Sequence, residues 1–96
     1  GTGGGLTPNI NRWRRQLNLE PQSLPEIEKD VIEKNGKLGK YKMIRIVNFQ
    51  NNSAFLVAII PVKNQTLFVK LSADPLGIQE AESDFIFFCS SIHIIH

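Results

Sequence analysis

Apolar residues recur at spacings of three and four near the start of the chain, close up into almost continuous runs in the middle, and return to three and four near the end. That change of period separates helical ends from a strand-rich centre. Thr7-Pro8 reads as a helix cap and first helical position, because threonine accepts from an orphan amide and proline lacks a donor that the first turn leaves unused. A helix is predicted from Pro8 to Leu17 or Asn18, with Ile10, Trp13 and Leu17 on one core-facing stripe. Ser23-Leu24-Pro25-Glu26 has the S-x-x-E form of a capping box and predicts a second helix over Leu24 to Lys34, ended by Asn35-Gly36. Gly36 to Gly39, a polar turn carrying Lys37, then crosses from helix to strand.

Three strands are predicted next, over Tyr41 to Phe49, Ser53 to Val62 and Thr66 to Ser72, with short turns at Gln50-Asn51-Asn52 and Lys63-Asn64-Gln65. Loops this short imply an antiparallel meander. The middle run is apolar on both alternating sets, Phe55, Val57 and Ile59 on one and Leu56 and Ile60 on the other, so it requires cover on both faces. Pro61 stands at its end, where a missing donor matters least. Asp74-Pro75 caps a last helix over Pro75 to Ser91, with Ile78, Ala81, Phe85, Phe88 and Ile92 on its stripe and Glu80, Glu82 and Asp84 elsewhere in its first half. The order α-α-β-β-β-α therefore predicts an α+β fold, a three-layer α/β/α sandwich around a small antiparallel sheet. Three strands leave exposed edges beneath two helical layers, and the expected remedy is extra strands upstream of Gly1 or supplied by a second copy.

At 96 residues and 42% hydrophobic content the chain suffices for one small domain, residues 1–96, with residues 1–6 as a flexible Gly-rich lead-in. The net charge is +2, unevenly spread. Residues 1–45 hold nine Lys/Arg against five Asp/Glu, and residues 46–96 hold two against four. This falls well short of the basic balance of a dedicated nucleic-acid binder, so nucleic acid is not expected as a partner. The single cysteine, Cys89, excludes an internal disulfide and a multi-cysteine zinc site. The longest apolar run, Ala54 to Val62, is about half of what a membrane-spanning helix needs, and neither a transmembrane segment nor a signal peptide is read in these residues.

The succession GGLTPNINRWRRQLNLEP, a strand ending AIIPV, and TLFVKLSADP leading into EAESDFIFF resembles a family of uncharacterised exported or lipoprotein-type proteins of planctomycetes and their relatives. The resemblance covers essentially the whole chain. It rests on Gly4, Gly5, Asn9, Asn11, Arg12, Trp13, Arg14, Gln16, Leu17 and Pro21 near the start, then Pro61, Phe68, Lys70, Leu71, Asp74, Glu82, Phe85 and Phe88. Two family glycines are replaced, by Asn18 and Ala73; asparagine is a sensible left-handed substitute, whereas alanine makes the turn a looser match. The resemblance implies a further strand-rich segment, including a β-hairpin, before the Gly-Gly, making this chain the C-terminal part of a larger domain. It also implies a place in the bacterial periplasm or cell envelope and a PsbP-like fold, which by itself carries no function.

Candidate chemistry is sparse. GTGGG fails as a dinucleotide fingerprint because Leu6 takes the last glycine position, and as a phosphate loop because no Lys-Ser/Thr follows. A helix start behind glycines suits an anion, but Pro8 removes a donor. Arg12, Arg14 and Arg15 surround a Trp13 whose spacing makes it a core anchor instead of a stacking platform, leaving the arginines as candidate binding residues. Lys70 interrupts an apolar strand and joins them; on an outer strand it would guard the edge, whereas burial in a polar pocket with Asp74 would argue for an enzyme. His93 and His96 lack a third ligand, Cys89 reads as a small core hydrophobe, and Asp74 as a cap. Neither a catalytic constellation nor a metal or cofactor site is read. The expectation is a non-catalytic cell-envelope domain that binds or assembles with a protein through a sheet edge or the arginines. Self-association through the edges, and a small anion or ligand held at the Gly-rich helix start with Arg12, are the alternatives.

Overall fold

The computed structural model describes residues 5–95. It is an α+β chain with three helices and one open antiparallel sheet of four strands, in the order α1 (Leu6–Gln16), α2 (Leu24–Asp30), β1 (Ile32–Gly36), β2 (Gly39–Asn48), β3 (Ser53–Val62), β4 (Gln65–Ala73) and α3 (Pro75–Ser91). The strands neighbour one another in chain order, so the meander is present with one more strand than the sequence pattern predicts.

That strand comes from the second half of the predicted second helix. The capping box forms as expected, with the Ser23 hydroxyl accepting from the Glu26 amide and the Glu26 carboxylate accepting from the Ser23 amide at 2.9 Å. The helix nevertheless stops at Asp30, and Val31 turns the backbone into extended geometry. Ile32 then pairs with Met43 and Gly36 with Gly39. Pairing with β2 satisfies backbone groups along five residues, of which Ile32, Glu33 and Lys34 continue the helical pattern of α2. Asn35-Gly36 therefore begins a two-residue hairpin turn, Lys37-Leu38, closed by Gly39 at a φ of 109°, a conformation that favours glycine.

Helix α1 starts earlier than Thr7-Pro8 suggests. Gly5 caps it with a φ of 85°, no side chain caps its first turn, and Leu6 is already helical against the core. Pro8 still costs nothing there, because the first amides of a helix have no intrahelical acceptor. At the other end the Leu19 amide donates to the Arg14 carbonyl at 2.9 Å and the Asn18 amide to the Arg15 carbonyl at 3.0 Å, with Asn18 at a φ of 59°. This is a Schellman ending with asparagine in the left-handed position. Asp74 caps α3 by accepting from the Gly77 amide at 2.7 Å.

Alternation along β2 and β3 sorts the apolar side chains into two clusters. Ile10, Trp13 and Leu17 of α1 and Ile27 of α2 meet Ile44, Ile46, Phe55 and Val57. Ile78, Phe85 and Cys89 of α3 meet Tyr41, Met43, Ala54, Leu56, Ala58 and Ile60. Trp13 is 4% exposed and stands edge-on to Phe68, ring centres 5.5 Å apart. Phe88, placed on the core stripe by its spacing, is instead 58% exposed. Cys89 takes the inward position, four residues after Phe85, which turns Phe88 outward beside the still more exposed Phe87.

Helix α3 is fastened to the β1–β2 hairpin at Ser90. Its carbonyl accepts from the Lys37 amide at 2.9 Å and its hydroxyl bonds the Tyr41 hydroxyl at 2.8 Å. A Cβ on Gly36 would sit 2.9 Å from the Ser90 Cα and 3.1 Å from its carbonyl oxygen. Both obstacles are backbone, so Gly36→Ala should destabilise the fold by about 1–3 kcal/mol, read as a lower urea midpoint. Glu26 gives a pH signature. The Ser23 amide, then the Ser23 hydroxyl, hold its carboxyl below the ordinary value of 4.5. Its contribution is therefore complete above that pH and lost as pH falls through the lowered value. The stability gap between the parent chain and Glu26→Ala should narrow accordingly in urea titrations run at successively lower pH.

Candidate functional site

The residues of α1 that the sequence singles out divide into structural and free groups. The Asn11 side chain pairs with the Gln22 backbone in both directions, donating to its carbonyl at 2.9 Å and accepting from its amide at 2.8 Å. Arg14 Nε donates to the Glu20 carbonyl at 2.6 Å. Both bonds shape the α1–α2 connection, so Arg14 serves as a brace for the backbone. Arg12 lies 5.4 Å from the centre of the Trp13 ring. Arg12 and Arg15 form no ion pair among the described residues.

Lys70 sits on the outer strand β4 and is exposed, not buried beside Asp74. Its face is the one that α1 shares, where its ammonium reaches Gln16 Oε1 at 3.2 Å and lies 4.3 Å from the Phe55 ring centre. A strand added along β4 would enclose that charge, which is how an inward-facing lysine protects a sheet edge. The β1 edge is protected by its length of five residues.

A cleft of about 450 Å³ opens where the first turn of α1 overhangs the sheet, with Leu6 and Asn9 on its helical wall and Gly5 at its end. The strand registers place Glu33, Lys42, Ile59 and Phe68 in one row across all four strands. Two residues further along their strands, Lys40, Pro61 and Thr66 continue the same face. The floor is therefore hydrocarbon and aromatic, and the charges gather on the β1–β2 side. Lys42 stands directly opposite Glu33 in register, yet the Glu33 carboxylate reaches Lys40 Nζ, at 3.6 Å. Lys42 has no carboxylate partner among the described residues. Asn9 is buried, its amide donating to the Gly5 carbonyl at 2.7 Å.

None of Arg12, Arg14, Arg15 and Lys70 lines this cleft. It does lie at the glycine-led start of α1, with Lys40 and Lys42 as its cations in place of Arg12. A signal for them exists in the sequence: Lys40-Tyr41-Lys42-Met43 alternates polar and apolar, which puts both lysines on one face of a strand. Their coincidence with Leu6 and Phe68 depends on tertiary packing alone.

The remaining candidates have local roles. Cys89 is a buried free thiol, and burial pushes its pKa up, the opposite of what a nucleophile needs. His93 lies 3.1 Å from the Ser91 carbonyl through Nδ1, while His96 and residues 1–4 of the lead-in, Gly4 included, lie outside the described residues. Among the described residues no group of three His, Cys, Asp or Glu side chains could hold a metal, and no helix is long and apolar enough to cross a membrane. An ion pair absent from the sequence reading joins Arg45 of β2 to Glu82 of α3.

No family model matches the chain, and neither a curated protein nor a solved structure matches it.

The inward charge of Lys70 yields a measurable consequence. Lys70→Val should make the chain associate in a concentration-dependent way, with light scattering giving a higher mass than for the parent chain at equal concentration.

Proposed function

We propose that this chain is a non-catalytic binding domain whose ligand lies in the cleft beneath the first turn of α1. One observation carries the reading: a concavity of about 450 Å³ in which Ile59, Pro61 and Phe68 form an apolar floor while Glu33, Lys40 and Lys42 gather on the β1–β2 side. That volume lies within the range of small-molecule sites. A binding role is favoured over a chemical one by the distribution of charge, since Glu33 and Lys40 neutralise each other at the edge while the floor is hydrocarbon. The resemblance of the α1 and β4 segments supports a setting in the bacterial cell envelope. The two apolar clusters, one joined to α3 and the other to α1 and α2, support a three-layer α/β/α arrangement of the PsbP-like kind.

A second reading, a protein partner or a second copy adding a strand to the sheet, draws on the nine residues of β4 with no strand on their outer side among the described residues. Lys70 opposes it at the middle of that strand, so the cleft is the better supported site.

Titration with benzyl alcohol, followed by amide chemical shifts, tests the cleft directly. Shifts should concentrate at Ile59, Thr66 and Phe68, and spare the exposed Phe87 and Phe88. Ile59→Trp from the floor, or Leu6→Trp from the wall, should fill the space and abolish them. Uniform shifts over every exposed aromatic residue would remove the reading.

A further inference from the structure

The charges around the cleft narrow its occupant to one chemical class. Two lysines and one glutamate border it, and the glutamate is engaged by Lys40 at 3.6 Å. Lys42, which has no carboxylate partner among the described residues, stands beside Ile59, its direct partner across β2 and β3, and Ile59 in turn pairs with Phe68. A hydrocarbon surface thus continues from the base of one unpaired cation. A ligand that only matched the charge would leave Ile59, Pro61 and Phe68 in water, and one that only matched the hydrocarbon would leave Lys42 without a counterion. We propose that the cleft binds amphipathic monoanions, an aliphatic or aromatic body carrying a single anionic head, with the head at Lys42 and the body along Ile59 and Phe68. This deepens the small-ligand reading and rests on it.

The asymmetry between the lysines sharpens the assignment. Lys40 already has Glu33, so an incoming anion gains less there and must displace or share the carboxylate. Lys42 offers its charge without that competition. Both lysines are exposed, so the electrostatic gain is modest and screened by salt. Burial of the apolar body supplies most of the affinity and the head supplies the preference.

Octanoate and octan-1-ol form a matched pair of probes, with acetate as a head without a body. Binding is followed by amide shifts at Ile59, Thr66 and Phe68 in low salt. Octanoate should bind roughly fivefold more tightly than octan-1-ol, and acetate should give no saturable shift at those residues. Lys42→Met should erase the preference, octanoate then binding no more tightly than octan-1-ol to the same variant; Lys40→Met should erase less of it. Equal binding of octanoate and octan-1-ol, or a preference that survives Lys42→Met, would overturn the anion assignment and leave the cleft as a neutral apolar site. Octanoate shifts centred on Arg12 and Arg15 would overturn it as well. If neither eight-carbon probe perturbs the cleft residues, the small-ligand reading itself fails and takes this inference with it.

Discussion

The structure depends on the double burial of β3. From Ala54 to Ala58 every side chain is buried, and Ile60 is again buried beyond the half-buried Ile59. A strand with no polar face cannot rest against water on either side, so each alternating set must find its own helix. The set Ala54, Leu56, Ala58 and Ile60 contains two alanines, which leave room for Phe85, Ile78 and Cys89 of the long helix α3 to approach. On the opposing set Phe55 and Val57 are larger, and the shorter α1 reaches them with Trp13 as its main filler. The first turn of α1 covers the remainder of that face only loosely, and the cleft lies there between Leu6, Asn9 and the sheet.

Much of the fold is legible in the sequence because local and tertiary preferences agree over most of its length. The Asp74-Pro75 cap sets the start of α3 and the two-sided apolar run sets β3, both of which the structure places as the pattern does. The pattern misleads where local composition is overruled. Glu-Ile-Glu-Lys-Asp-Val-Ile-Glu-Lys is a good helical stretch, and only the presence of β2 alongside converts its second half into β1. That conversion adds to the sheet a strand the pattern reads as helix. Phe88 and Cys89 illustrate a smaller ambiguity, since neighbours on a helix differ by about 100° and either fits a loose stripe.

The candidate site was hidden for a different reason. Its apolar floor uses Ile59 and Phe68, which lie within the apolar runs of β3 and β4, and its cations lie on a strand that carries no recognisable motif. Several of the residues that attract notice in Asn-Ile-Asn-Arg-Trp-Arg-Arg-Gln-Leu-Asn are occupied with holding the backbone and neighbouring strands, while Arg12 and Arg15 lie away from the cleft. Asn11 holds Gln22, Arg14 holds Glu20, Gln16 receives Lys70, and Asn18 turns the chain. A dense polar motif on a short helix can thus be architectural, whereas a sparse pair of lysines beside an isoleucine and a phenylalanine marks the concavity.

Asn48 adds a consequence for the width of that concavity. It is a buried side chain in β2 whose amide donates to the Leu17 carbonyl at 2.7 Å while its oxygen accepts from the Gln50 and Asn51 amides. One residue therefore pins the end of α1 to the β2–β3 turn, and the bonds of Asn11 and Arg14 stiffen the same half. The cleft lies at the other end of this rod, about 16 Å away along the axis. A tilt of about 5° about the pinned end would move Leu6 by about 1.4 Å relative to the floor, roughly the radius of a water molecule. The cleft thus shares its helical wall with an element whose far end is anchored by an asparagine remote from anything a ligand would touch.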